Sequence, residues 1–355
     1  MRFEQYSVKK FLPFLTTTLC LAFPTVSCAT SKKYDVDYYK DGTFQNQEKH
    51  QSKSFFSYIW MRLKTQQREW PEFVPLKMTS AAPDPQSNPL KVYYVNHSTF
   101  LIQYKGMNIL TDPVFSERVS PVTWAGPKRV TPVGFTFEQI PKIDVIIISH
   151  DHYDHLDLVT LKKFYKRDKP LILLGLGAGR VFEKEKFREL KWWESIDHGS
   201  VKITFTPAQH FSGRSLWDRN TTLWGAYVLQ FADRTLYFGG DTGYSSHFLK
   251  TAEKFGPMDV SFLPIGAYDP RDFMEYHHLD PEQAYQSHLD LKSKFSIGMH
   301  WGTFQLTNEA REEPQARLQA VAAKNADSSF IAPENGSCWQ ETKEGWRPCK
   351  QDPAK

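Results

Sequence analysis

The stretch "IDVIIISHDHYDHLD", residues 143–157, places three histidines and three aspartates within its last nine positions, directly behind an apolar run. A continuous Val/Ile run suits a strand covered on both faces, so the titratable groups fall where that strand leaves the sheet. His150, His152, Asp154 and His155 then project from one loop, and a tight turn aims them at one place. Neutral imidazole and carboxylate are the ligands that zinc takes in catalytic sites. His150 and His152 alternate and can grip one ion together, while Asp154 and His155 suit a second.

Two ions need more ligands than one loop provides. Three further positions lie behind apolar runs: His210 in "FTPAQHFSGR" (205–214), Asp241 in "LYFGGDTGY" (236–244) and His300 in "SIGMHWGTF" (296–304). Neighbouring glycines are read here as letting backbone and metal approach closely. Around these sites, "KVYYVNHSTFLIQYKGMNILTDPVF" (91–115) reads as successive antiparallel strands and "PLILLG" (170–175) as a buried one. Helices are expected over 156–167, 245–255 and 280–292, the last with Asp280 as N-cap, Pro281 at the first helical position and Gln283 completing a capping box. Strands grouped in meanders, with helices returning between them, imply two sheets layered between helices. "GLGAG" (175–179) lacks the spacing of a dinucleotide-binding turn and reads as a strand-to-helix turn.

The pattern HxHxDH, a lone His, an Asp within GDTG and a last His resembles the metallo-β-lactamase superfamily, which implies an α+β fold built as a four-layer αββα sandwich. "NHSTFLIQ", "TDPVFSERVSPVTWAGPKR", "LPIGAYDPRDFM", "HLDPEQA" and "MHWGTFQLTNE" narrow the similarity to the N-acylphosphatidylethanolamine-hydrolysing phospholipase D family over about residues 90–325. The resemblance implies two zinc ions, one held by His150, His152 and His210, the other by Asp154, His155 and His300, with Asp241 bridging. It also implies that Asp112 braces the histidine loop. Asp154 and Asp241 are the catalytic carboxylates of this scheme, and Tyr153 and His278 are candidate catalytic and substrate-binding groups. The implied reaction releases N-acylethanolamine and phosphatidate from a phospholipid by a metal-bridged hydroxide. Two alternatives stay open: a lactonase or other hydrolase on the same site, and a non-catalytic lipid-binding envelope lipoprotein.

His97 is read as structural, at a turn; His50, His198, His247 and His288 are expected at the surface. Apolar walls for acyl chains are sought in the face of Phe55, Phe56, Ile59, Trp60 and Leu63 and in Trp124, Trp217 and Trp224.

The chain ends are of a different kind. Arg2, Lys9 and Lys10 precede a short apolar stretch, so residues 1–28 read as a signal peptide, ending either at a lipoprotein-type Cys28 or at ordinary cleavage near Ala29. Residues 29–90 form an N-terminal extension, 91–335 the hydrolase domain and 336–355 a tail. Export to a bacterial envelope, as a periplasmic protein or a lipid-anchored membrane lipoprotein, follows from the leader. A Cys338–Cys349 bridge is then expected over two free thiols. A net charge of +4 gives no case for nucleic acid. The expected partners are a phospholipid, a membrane surface and, as a further candidate, a second copy of the chain.

Overall fold

The computed structural model describes residues 34–49, 65, 67–76, 78–84, 89–183 and 185–353. The leader 1–28, His50 and the aromatic face at 55–63 lie outside the described residues. Val36–Lys355 form one unit.

Its first sheet has eight strands, in the order Gly345–Pro348, Cys338–Thr342, Lys91–Asn96, Thr99–Tyr104, Met107–Thr111, Val145–Ile147, Leu171–Gly175 and Phe187–Leu190. The second has seven: Ser195–His198, Val201–Thr206, Ala226–Gln230, Thr235–Phe238, Val260–Pro264, Ser296–Met299 and Phe330–Ile331. Both begin antiparallel and turn parallel, the first from the pair Met107–Thr111 with Val145–Ile147 onward, the second from Thr235–Phe238 with Val260–Pro264. Parallel neighbours need crossovers; helices supply those of the second sheet and the one from Val145–Ile147 to Leu171–Gly175, while residues 112–144, without a helix, lead from Met107–Thr111 to Val145–Ile147. Leu158–Asp168 serves the first sheet; His247–Phe255, Pro281–Asp290 and Glu313–Lys324 serve the second.

The helices cover the outer faces. Leu161 and Phe164 of Leu158–Asp168 pack with Ile146, Ile148 and Ile172 of the first sheet, while Phe248, Ala284 and Leu318 from three helices pack with Tyr237 and Leu263 of the second. Between the sheets, Phe100 meets Phe262 with ring centroids 4.5 Å apart. Tyr227 crosses the gap to donate its hydroxyl to the carbonyl of Ile148 at 3.0 Å. Strands so enclosed on both faces explain the unbroken apolar runs, and the chain is an αββα sandwich.

Helix starts follow the local chemistry with one difference. Asp280 does cap Pro281–Asp290 by accepting from the amide of Gln283 at 2.8 Å. The Gln283 side chain does not close the capping box: its Oε1 accepts from Arg271 at 2.8 Å, a charge-assisted bond that outcompetes a backbone amide. "GLGAG" runs from strand Leu171–Gly175 into a short 3-10 turn, Ala178–Val181.

Both ends of the described chain join the sandwich. In the tail, Cys338–Thr342 pairs antiparallel with Lys91–Asn96, and Cys338 is fully buried and bonded to Cys349. In the extension, Phe44 is fully buried, Tyr38 stacks on Trp192 at 4.2 Å, and the Trp70 indole donates to the Glu309 carbonyl at 2.8 Å. Among the described residues no helix is long and apolar enough to cross a membrane.

The bridge closes a short loop at the sheet edge, so Cys349→Ser should destabilise the fold by roughly 2–3 kcal/mol. Denaturant melts check this: a wild-type midpoint that does not move on adding reductant would show that the bridge contributes nothing.

Candidate metal centre

Every predicted ligand follows a strand that ends at the same edge. Residues 148–155 follow Val145–Ile147, Asp241 follows Thr235–Phe238 and His300 follows Ser296–Met299, all parallel strands whose C-terminal ends define one rim, the usual place for sites in such sheets. His97 and Asp112 come immediately after Lys91–Asn96 and Met107–Thr111. The loop itself is a tight turn in which the amides of His155 and Leu156 donate to the His152 carbonyl at 3.1 and 2.8 Å, swinging His155 back toward His150. Asp157 then caps the helix through the amides of Val159 and Thr160.

Two groups of ring nitrogens result. His150 Nε2 lies 2.7 Å from His152 Nδ1, which lies 3.3 Å from His210 Nε2. On the other side, Asp154 Oδ2 is 3.2 Å from His300 Nε2 and 3.5 Å from His155 Nε2. Asp241 Oδ2 stands between them, 3.0 Å from His300 Nε2, 3.2 Å from His155 Nε2 and 3.9 Å from both His150 and His210 Nε2. All seven residues read from the sequence converge.

The far side of three of the rings is held. His155 Nδ1 is 2.7 Å from Asp112 Oδ2, His210 Nδ1 2.8 Å from the His277 carbonyl, and His150 Nδ1 2.9 Å from Ser149 Oγ. Such outer partners fix ring orientation and leave the inner nitrogen to face an ion. Asp112, fully buried, also accepts from the Ser149 amide at 2.7 Å and its hydroxyl at 2.6 Å. It thereby ties the strand end to the ligand loop.

Electrostatics divides the site in two. Burial, helped by neighbouring imidazoles, holds His150 and His210 well below the ordinary histidine pKa, so they present neutral lone pairs. Burial opposes charge on His155 and His300 too, but Asp241 and Asp154 outweigh it, lifting His300 to about 9 and His155 well above its usual value. Burial also works against ionised Asp241 and Asp154, yet the adjacent imidazoles keep both carboxyls well below their usual range.

The donor set fits a metal. Among the described residues, His155 Nε2 and Asp241 Oδ1 are buried without a hydrogen-bond partner, a costly arrangement unless a cation is met there. The atoms of His150, His152 and His210 form one group able to hold an ion, and Asp154, His155 and His300 form another.

Other positions differ from expectation. His97 belongs to that second group, its Nε2 3.1 Å from Asp154 Oδ2; burial at a strand end on the same rim is the signal that identifies it. His278 is buried beside the site with Nδ1 3.9 Å from Asp241 Oδ2. Tyr153 is partly exposed and pinned, donating to the Arg214 carbonyl at 3.0 Å with the Arg214 guanidinium 3.9 Å over its ring. Arg214 in turn donates to the Asp151 and Leu156 carbonyls of the ligand loop, a brace with no local sequence signal. His247 and His288 are buried rather than at the surface, satisfied by Ser245 at 2.6 Å and Ser296 at 2.7 Å. Trp224 is buried and donates to the Ala208 carbonyl, so it is core and not a pocket wall, whereas Trp124 and Trp217 are exposed. The glycine before Asp241 makes room for protein instead of metal: Gly240 has a left-handed backbone, and a Cβ there would lie 2.5 Å from that of Ser149.

Known proteins agree with this geometry. A family profile, the Beta-lactamase superfamily domain, matches residues 107–301. The chain is similar to N-acyl-phosphatidylethanolamine-hydrolyzing phospholipase D 1 of Caenorhabditis elegans, 36% identical over 266 residues that cover 70% of this chain and 74% of that one. Among solved structures it resembles an isothiocyanate hydrolase from Delia radicum gut bacteria (TM-score 0.58, 20% identity, 70% and 97% coverage). It also resembles a metallo hydrolase from Ignicoccus hospitalis (TM-score 0.53, 20% identity, 70% and 97% coverage). Fold and site define a metallo-hydrolase of the β-lactamase superfamily. Within it, the chain belongs to the N-acylphosphatidylethanolamine-hydrolysing phospholipase D family.

Asp112→Asn should lower metal affinity about 10- to 100-fold, because an amide cannot accept from His155, the Ser149 amide and the Ser149 hydroxyl together. Competition with a chromophoric chelator measures this, and wild-type affinity in the variant would refute the bracing role.

Proposed function

We propose that the protein is a two-zinc phosphodiesterase of phospholipase D type, acting on N-acylphosphatidylethanolamine-like phospholipids at a membrane surface. The observation that carries this reading is the convergence of two imidazole and carboxylate groups on Asp241, in a chain 36% identical to a phospholipase D of that specificity. His150, His152 and His210 would hold one ion, Asp154, His155 and His300 the other, with Asp241 shared. When bound, a divalent pair supplies an acidified water and positive charge for the phosphoryl oxygens. Zinc suits this nitrogen and oxygen donor set.

The chain's own groups do the remaining work. Asp112 and the His277 carbonyl orient His155 and His210, and Asp241, standing between the two groups of imidazoles, would be shared by the ions. His278 faces the substrate side, its carbonyl fixed by Arg271 at 2.8 Å. Tyr153 offers its ring, since its hydroxyl is engaged by Arg214.

Two exposed loops support the membrane surface as partner. Trp124 is 80% exposed and Trp217 90%. Their loops both reach Tyr153, one through Val119, the other through Arg214. Aromatic tips of this kind seat at a bilayer interface. We place the protein in an oxidising envelope compartment, which the Cys338–Cys349 bridge supports.

Purified protein should carry two metal equivalents and convert an N-acylated phosphatidylethanolamine to N-acylethanolamine and phosphatidate. In water labelled with heavy oxygen, the label should enter phosphatidate, as attack at phosphorus requires. His152→Ala and Asp241→Asn should each lower turnover by about 100-fold or more with circular dichroism unchanged. Full activity in either variant would remove the mechanism. Turnover of an acyl lactone without the lipid would favour a hydrolase acting at carbonyl carbon, and turnover of neither would favour a binding protein.

A further inference from the structure

His210 is the ligand with the least support from regular structure. It lies in the long irregular segment between strands Val201–Thr206 and Ala226–Gln230. Its neighbour Gln209 is tied on one side, the Gln209 amide donating to Thr242 Oγ1 at 2.9 Å and its carbonyl accepting from the Gly243 amide at 2.8 Å. Successive residues of an extended segment turn opposite ways, so His210 needs a partner on the other side.

Asn46 is that partner. Its Nδ2 donates to the His210 carbonyl at 2.7 Å, and its Oδ1 accepts from the His210 amide at 3.1 Å and from the Trp224 indole at 3.0 Å. A primary amide offers one donor face and one acceptor face, as a peptide group does, and here it stands in for a missing neighbouring strand. The three contacts also fix the amide orientation, since the flipped form would set its NH2 against two N–H donors. The segment carrying Asn46 is itself anchored: Phe44 is fully buried and its amide donates to the Asn220 carbonyl at 2.7 Å. These residues lie before the region matched at 107–301.

We propose that Asn46 is a positioning residue for the metal centre: from the N-terminal segment it locks the backbone of His210 so that Nε2 faces the ion shared with His150 and His152. The inference rests on reading His210 as a metal ligand. In the full chain, Asn46→Ala should weaken one of the two metal equivalents about 10- to 100-fold, leave the other unchanged, and shift the d–d absorption of the cobalt-substituted protein. Tyr38→Phe removes another contact of the same segment, the bond from the Trp192 amide to the Tyr38 hydroxyl, and should leave both equivalents at wild-type affinity.

Chelator competition with zinc and cobalt spectra decide the matter. Wild-type affinity and spectrum in Asn46→Ala overturn the proposal, and so does equal weakening of both equivalents, which would mark a general loosening. Should Asn46→Ala fail to fold, Asn46→Asp keeps the acceptor and loses the donor to the His210 carbonyl. It should weaken the same equivalent, and wild-type affinity there overturns the proposal equally. Wild-type protein that does not hold two equivalents sinks the two-zinc reading itself, a result distinct from any of these.

Discussion

Compensation of buried charge governs this molecule. A carboxylate removed from water costs several kcal/mol unless its charge is met, and the rim of the sandwich buries Asp112 and Asp241 almost completely. Imidazoles meet both, and a lateral displacement of either sheet by one residue would leave a carboxylate facing hydrocarbon. The positions of the strand ends are therefore fixed by the site as much as the site is fixed by the strands. The turns that follow the strands help to place these groups: His97, Asp112 and His300 adopt φ of 46°, 31° and 63°, a left-handed region that His and Asp enter more readily than most residues with a Cβ.

The metal centre is also a joint between sheets. His150, His152, Asp154 and His155 come from the first, and His210, Asp241 and His300 from the second. Contacts beneath them bind the halves: the Tyr227 hydroxyl to the Ile148 carbonyl, the His300 amide to the His97 carbonyl at 2.9 Å, and Gly240 closed against Ser149. A cation held here would crosslink the two layers, so metal loading and sandwich stability are linked quantities.

Much of this was legible in sequence because its causes are local. A continuous apolar run followed by alternating histidines is a strand end with ligands, and the order of the later His, Asp and His positions gave both the second half of the site and the family. What stayed hidden depends on pairing between distant residues. His97 is the turn residue its sequence suggests, but nothing within a few positions of it reveals that Asp154 lies 3.1 Å away. His247 and His288 looked like surface residues because their serine partners give no periodic signal. The packing of the terminal segments stayed hidden because a strand added beside a sheet carries the same alternation whether or not it finds a neighbour.

The strand Cys338–Thr342, second from the edge of the first sheet, has a temporal side. It is made after every ligand, yet it pairs with Lys91–Asn96, the strand that delivers His97 to the rim. Until some 240 later residues have emerged from the ribosome, that strand has an open side and the first layer is incomplete. All seven ligands precede that strand in the chain, so the frame that aligns them closes only after they have been made.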